Sequence, residues 1–341
     1  MRPAIVLGTN LVVGGAALVW VLTRWGTPAL ALLARPIAPA AAMGFAGAAA
    51  TALLLYAFRW RRVLVGVGGR SGLLPLVAFR AAGQSVSLLL PSARVGGDPL
   101  RAFLLARDGV AAPAAIASVA VDRLLEMAAT APFACAYGAS LLRAGVPELQ
   151  GAMVSVSLGA ITVVAAIAAA SRRLRRGAGL VTSLARAMRI DRLGIVGDRM
   201  HVLVDAEDAA RRLATRPARM GRTFALGVAA NVVVLVEYHF LLATLGLPAG
   251  ALDVVAAIFA AGAAHSLPVP AAVGALEGAE TWLFTTLGHP PEVGLAVALA
   301  VRLRELVWAV PGLVWLIVRG TGRVRPAQRT CAQTATARNP G

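Results

Sequence analysis

Ser87-Leu88-Leu89-Leu90-Pro91-Ser92-Ala93-Arg94-Val95-Gly96-Gly97-Asp98 has a second version later in the chain. It is His265-Ser266-Leu267-Pro268-Val269-Pro270-Ala271-Ala272-Val273-Gly274-Ala275-Leu276-Glu277. Each copy breaks an apolar segment with proline, continues into Val-Gly and reaches a carboxylate two or three residues later. Each is followed by Arg-x-x-Glu inside a long apolar stretch, Arg123 to Glu126 and Arg302 to Glu305. Gly96 and Arg123 are 27 residues apart, Gly274 and Arg302 are 28. Broken apolar segments and intramembrane charges repeated at corresponding positions are the signature of a two-fold-repeat transporter core.

Composition sets the class. The chain is 58% hydrophobic and 14% charged, with a mean hydropathy of +0.75. A soluble domain carries about a quarter charged residues. Several apolar windows of about 20 residues are each long enough to cross the hydrocarbon core. The expected fold is an all-α polytopic membrane protein with about six full transmembrane helices, two re-entrant broken-helix hairpins and an inverted repeat.

The net charge is +17 and every basic residue is arginine. The charge sits in short loops between apolar spans, which argues against nucleic acid as a partner. Lysine absence beside heavy Ala, Gly and Arg usage reads as genome base composition. The two cysteines, Cys135 in an apolar span and Cys331 in a polar tail, support neither a disulfide framework nor a metal cluster. No P-loop, G-x-S-x-G or H-E-x-x-H motif is present, and Gly66-Val67-Gly68-Gly69 lacks a strand–helix context. No cofactor and no metal site are expected.

Full spans are expected at 4–23, 39–58, 111–142, 151–170, 223–246 and 293–318, a re-entrant apolar segment at 72–90 that stops at Pro91, and a second broken region at 252–288. Arg59, Arg61, Arg62 and Arg70 are placed in the loop after the second span. Residues 171–222 hold thirteen arginines against five acids, so this segment is expected on the cytoplasmic side. Both termini then fall inside, and the two broken regions enter from opposite faces. The divisions are a repeat half at 1–170, a basic amphipathic segment at 171–222, a second half at 223–320 and a disordered tail at 321–341. Leu180, Leu184, Met188, Leu193, Val196 and Met200 recur at helical spacing, which suits a helix on an anionic leaflet. A solvated linker is the alternative.

Interrupted helices expose N–H groups at a positive dipole end, suited to an anionic lipid head group. Arg94 and Arg101 add positive charge beside the first break, where Gly96 and Gly97 loosen the backbone. Asp98 is either an N-cap or a functional charge. In the spans, Asp122, Arg123 and Glu126 lie together, as do Arg302, Arg304 and Glu305. Such charges cost about 2.5–3.5 kcal/mol each on insertion scales, and the i,i+3 pairs partly neutralise themselves. They either lock the two repeats together or line a cavity for a head group. Gly274 and Glu277 belong to the second break, and Glu280, one turn on, is expected at the same cavity. Glu237 is expected to face the bundle interior. His265 is either merely hydrogen-bonded or titrates. Trp20, Trp25, Trp60 and Trp308 suit interfacial belts.

Pro91 through Arg101, Val121-Asp122-Arg123-Leu124, Pro270 to Glu277 and Arg302 to Glu305 resemble the transmembrane flippase-type domain of the lysylphosphatidylglycerol synthase family, over about 1–320. The wording is also similar to hopanoid-biosynthesis-associated members of that superfamily. The resemblance implies a multi-helix protein of the bacterial inner membrane that translocates or handles lipids. Two departures stand out: Asp98 where the family commonly has Glu, and Ala271-Ala272 where it commonly has a glycine pair. The synthases' transferase domain has no counterpart here, so aminoacyl transfer is not implied.

The expected function is a lipid flippase or lipid-transport protein for a phospholipid or hopanoid-type lipid. Its partners would be membrane lipids, anionic inner-leaflet head groups and lipid-synthesis enzymes. The rivals are a membrane-embedded enzyme using Asp98 or Glu277 as base, and a scaffold of a lipid-synthesis complex.

Overall fold

The computed structural model describes residues 3–90, 96–177, 179, 200–267 and 269–320. Among them lie eleven α-helices and no strand. The order is α1 (Pro3–Leu33), α2 (Pro39–Gly66), α3 (Leu73–Leu89), α4 (Asp98–Arg107), α5 (Ala112–Arg143), α6 (Gln150–Arg175), α7 (Met200–Ala214), α8 (Pro217–Thr244), α9 (Ala251–Ser266), α10 (Ala275–Thr286) and α11 (Pro291–Gly320). Proline stands in the first turn of α2, α4, α5, α8 and α11, where its missing N–H is no loss and its fixed φ already suits a helix.

The duplication read from the sequence is a duplication of helices. Helices α2 to α5 run 28, 17, 10 and 32 residues. Helices α8 to α11 run 28, 16, 12 and 30. At about 1.5 Å per residue, α4 and α10 span only about half of a hydrocarbon core of about 30 Å. They cannot cross it. Each packs instead against the helix before it, α4 on α3 and α10 on α9, so both broken regions are hairpins.

Among the described residues, four segments are long and apolar enough to cross a membrane: Gly14–Leu33, Pro39–Gly66, Val154–Arg175 and Pro217–Thr244. Helices α5 and α11 have the length but carry charged residues midway. If α2, α5 and α6 each cross once and the α3–α4 hairpin returns to its own side, α8 starts on the face opposite to α2. The two halves are then inverted.

The halves interlock. Helix α2 packs along α8, α3 lies against α11, and α9 lies against α5. At the α3–α11 contact the Ser85 hydroxyl donates to the Ala309 carbonyl at 2.6 Å.

Several boundaries differ from the sequence reading. Helix α1 continues through Arg24 to Leu33 rather than ending at 23. Helix α2 runs to Gly66, so Arg59 and Trp60 belong to it and are fully buried; Arg59 is not a loop residue and Trp60 is not in an interfacial belt. Helix α8 starts at Pro217 rather than 223. Met200 opens α7, which packs on α5 and α6 through a face that buries Ala206, Ala209 and Leu213. Arg212 of α7 donates to the Val67 carbonyl at 3.1 Å. The expected surface helix at 180–199 and the tail at 321–341 lie outside the described residues.

Candidate functional site

Asp122 sits midway along α5, fully buried, and three helices send an arginine to it. Arg59 of α2 places Nε 2.8 Å from Oδ1, Arg80 of α3 places Nη1 3.3 Å from Oδ2, and Arg101 of α4 places Nη2 2.8 Å from Oδ2. Glu126 lies one turn on, on the same face of α5. It accepts from Arg59 at 2.7 Å and Arg80 at 2.9 Å, and from Arg123 at 3.4 Å. Asp98 joins Arg101 at 3.1 Å and lies 3.6 Å from Arg123. Aromatic faces carry the guanidinium planes: Arg59 and Arg80 over Tyr56 at 5.2 and 4.4 Å, Arg101 over Trp60 at 4.2 Å. The Trp60 indole N–H donates to Ser118 at 3.2 Å. Charges buried at this depth persist only when paired and hydrogen-bonded.

The second half builds a different cluster. Arg302 of α11 reaches back to the break before α10. Its Nε donates to Glu277 Oε1 at 2.9 Å, its Nη2 to the Ala272 carbonyl at 3.0 Å and its Nη1 to the Ala271 carbonyl. The other Glu277 oxygen accepts the Gly274 N–H at 2.8 Å and so caps α10. Ala271 and Ala272 have φ of 50° and 48°, left-handed values that cost an L-residue about 1–2 kcal/mol. Gly274, at φ 74°, lies with its backbone against that of Gly14 on α1, with no room for a Cβ. Glu305 stands 3.6 Å from Arg302 and 2.7 Å from His265 Nε2. Arg304 grips Glu237 of α8 at 2.7 and 2.9 Å and lies over Tyr238.

The two breaks meet. Gln84, Ser87, Leu88 and Leu90 of the first hairpin and His265, Leu267, Val269, Ala271 and Ala272 of the second line one narrow pocket. Beside them is a cavity of about 600 Å³, a volume typical of small-ligand sites. Tyr56, Arg80, Arg123, Glu126 and Tyr137 line it from the first half, and Glu237, His265, Arg304, Glu305 and Trp308 from the second. Helix α6 closes one side with Val156, Gly159, Ala160 and Val163, while its Val154, Leu158 and Ile161 are exposed. Helix α6 thus has one side on the cavity and the other exposed.

Of the residues expected at a site, Arg123, Glu126 and Glu305 line this cavity. Asp98, Arg101 and Asp122 lie behind it in the ion network. Arg302, Glu277 and Gly274 hold the second break. Asp98 makes no side-chain cap to α4; its role is ionic. The Gly97 N–H of the first break donates to Ser87 at 2.8 Å, so the protein's own side chains occupy the N–H groups of Gly97 and Gly274. Gly96 lies in the turn before α4, and Arg94 lies outside the described residues. Glu280 is fully buried away from the cavity, against the expectation for it. Glu237 does face the interior. Arg59, Arg80 and Tyr56 were missed as site residues, Arg59 because a run of arginines after an apolar span reads as a loop. Among the described residues no three His, Cys, Asp or Glu side chains are placed to hold a metal.

The family model for the lysylphosphatidylglycerol synthase TM region matches residues 5–312. The chain belongs to this family. The match is to the family as a whole and does not single out hopanoid-associated members. Comparisons with curated proteins and with solved structures gave no match. The matched region takes in both hairpins, both charge clusters and the cavity between them, so the site is part of the family's domain and not an addition to it. The glycine pair named in the resemblance falls where this chain holds Ala271 and Ala272 in left-handed backbone.

Proposed function

We propose that this protein moves a polar-headed lipid, a phospholipid or a hopanoid-type lipid, across the inner membrane of a bacterium. The observation that carries this reading is the cavity of about 600 Å³ beside the meeting of the two broken hairpins, with charged side chains from both halves in its wall and apolar α6 along one side. Arg80, Arg123 and Arg304 offer donors to a phosphate or hydroxyl. Glu126, Glu237 and Glu305 offer acceptors to an amine or hydroxyl. An environment of fixed, paired charges lowers the cost of taking a head group out of water. The acyl or polycyclic part would lie along α6, on the bilayer side.

In this scheme Asp98, Arg101 and Asp122 hold the cavity arginines in place. Gly96, Gly97, Gly274, Glu277 and Arg302 hold the two breaks, and Arg94 supplies charge beside the first. Rocking of one half against the other would open the chamber to each face in turn. In this reading the 67–72 turn, α7 and both termini face the cytoplasm, which the arginine bias supports.

The test is transport by purified protein in vesicles carrying a fluorescent lipid, with a membrane-impermeant quencher outside. The expected result is lipid exchange well above protein-free vesicles, and a large loss in Arg123→Ala with the fold retained. Exchange in Arg123→Ala at the wild-type rate would overturn the assignment of the cavity as the head-group path. Mass spectrometry of lipid that copurifies would identify the substrate class.

A further inference from the structure

His265 closes α9 at the second break. Its Nδ1 lies 2.7 Å from the carbonyl oxygen of Ala261, and its Nε2 lies 2.7 Å from Oε1 of Glu305. Both side chains are nearly buried, 7% and 5% exposed. A carbonyl oxygen only accepts, so Nδ1 carries a hydrogen. A neutral ring then has a bare Nε2, and a bare nitrogen against a carboxylate oxygen at this distance is repulsive. One further proton, on the ring or on the carboxyl, relieves that repulsion and turns the 2.7 Å contact into an ion pair or a neutral pair. We propose that His265 and Glu305 form a proton-binding site in the cavity wall, and that H⁺ leaving or joining this site is coupled to movement of the lipid.

The neighbours single out this pair. From α11, Arg302 lies 3.6 Å from Glu305, and Arg304 is held by Glu237 of α8. From α5, Arg123 and Glu126 share the cavity and pair with each other. Arg80 of α3 is on Glu126, and Glu277 of α10 is on Arg302. Arginine keeps its proton at any physiological pH, and a carboxylate bound to arginine is held charged. Among the described lining residues His265 is the one imidazole, the group whose ordinary range falls near neutrality.

The site reaches the break through Arg302, which binds the carbonyls of Ala271 and Ala272 and also faces Glu305. With the proton present, Glu305 faces the positive or neutral partner His265 at 2.7 Å. When the proton leaves to water in the cavity, the pair falls from net zero to one negative charge, and Glu305 turns to Arg302. Arg302 is then drawn from the two carbonyls, and the left-handed segment at Ala271–Ala272 is released. The proton site stands on geometry alone; its coupling to lipid rests on the transport reading above.

The experiment uses full-length protein, labelled with ¹⁵N-histidine, in lipid nanodiscs. Imidazole nitrogen signals are followed from about pH 5 to pH 8. The signal of His265 is assigned by its loss in His265→Asn or, if that variant does not fold, by elimination with His201→Asn, His239→Asn and His289→Asn. The expected result is an Nε2 protonation that changes with pH in wild type and follows a different course in Glu305→Gln. A His265 ring that stays in one form throughout, or a transition unmoved in Glu305→Gln, would overturn the proposal. In vesicles, an imposed pH gradient is expected to speed wild-type lipid movement in one direction and slow it in the other. Movement indifferent to the gradient removes the coupling. Absence of movement with the titration present removes the transport reading and leaves the proton site standing.

Discussion

Arg304 of α11 holds Glu237 of α8 through two hydrogen bonds of 2.7 and 2.9 Å, and the corresponding bond of the other half, Arg59 of α2 to Asp122 of α5, runs with the charges exchanged. One arginine joins α8 to α11 through Glu237, and one joins α2 to α5 through Asp122 and Glu126. Between them the α3–α4 or α9–α10 hairpin is held in place. Neither pair spans the two halves, so relative motion of the halves does not require breaking either one.

Arg304→Gln leaves Glu237 buried without its partner. Stability is expected to fall by about 3–5 kcal/mol, the usual result of orphaning one member of a buried pair. The double variant Glu237→Gln/Arg304→Gln should recover part of that loss. Thermal unfolding in detergent, run as a double-mutant cycle, measures both.

Asp122→Asn removes the carboxylate shared by Arg59, Arg80 and Arg101. Here too a loss of about 3–5 kcal/mol is expected. Asp98→Asn, whose partners among the described residues are Arg101 and Arg123 at a partly exposed position, should cost about 1 kcal/mol. The melting temperatures of the two variants, compared in one detergent, give the ranking.

Ala271→Gly and Ala272→Gly each relieve a left-handed alanine. Removal of that strain outweighs the added chain entropy of glycine, and each change should raise stability by about 0.5–1 kcal/mol. The half-life of folded protein at a fixed elevated temperature is the readout, and a shorter half-life in both would contradict the strained-backbone account.

Gly97→Ala sets a methyl group against the Gly83 backbone, where the first hairpin is tightest, and is expected to destabilise strongly. Gly221→Ala, in the body of α8 with open space around it, should be neutral or stabilising by up to about 1 kcal/mol. Folded yield by size-exclusion chromatography separates the two outcomes.

Much of this architecture was legible in the sequence because membrane insertion leaves few options. Pro91 and Pro268–Pro270 mark the breaks, and the short apolar runs beside them are too brief to cross. Arg123–Glu126 and Arg302–Glu305 are i,i+3 neighbours, so their pairing followed from helical spacing. What was not legible is contact between distant helices. Arg59 stands among Arg61 and Arg62, and only the packing of α2 on α5 shows it belongs inside. Trp60 suits a membrane interface by type and is instead buried beneath Arg101. Arg101 and Arg302 read as ligands for an anion, yet their donors face Asp98, Asp122, Glu277 and backbone carbonyls. A single chain shows the residue types at a site, but not which arginine meets which acid.

The central claim is that the cavity between the halves carries the lipid head group. A cavity-filling change tests it most directly. Ala131→Trp places a large side chain in the chamber, whereas Val154→Trp adds the same group to the exposed face of α6. Both are measured for exchange of fluorescent lipid in vesicles, at equal amounts of folded protein. The account predicts that Ala131→Trp abolishes exchange and Val154→Trp leaves it at the wild-type rate. Equal exchange by wild type and Ala131→Trp would contradict it.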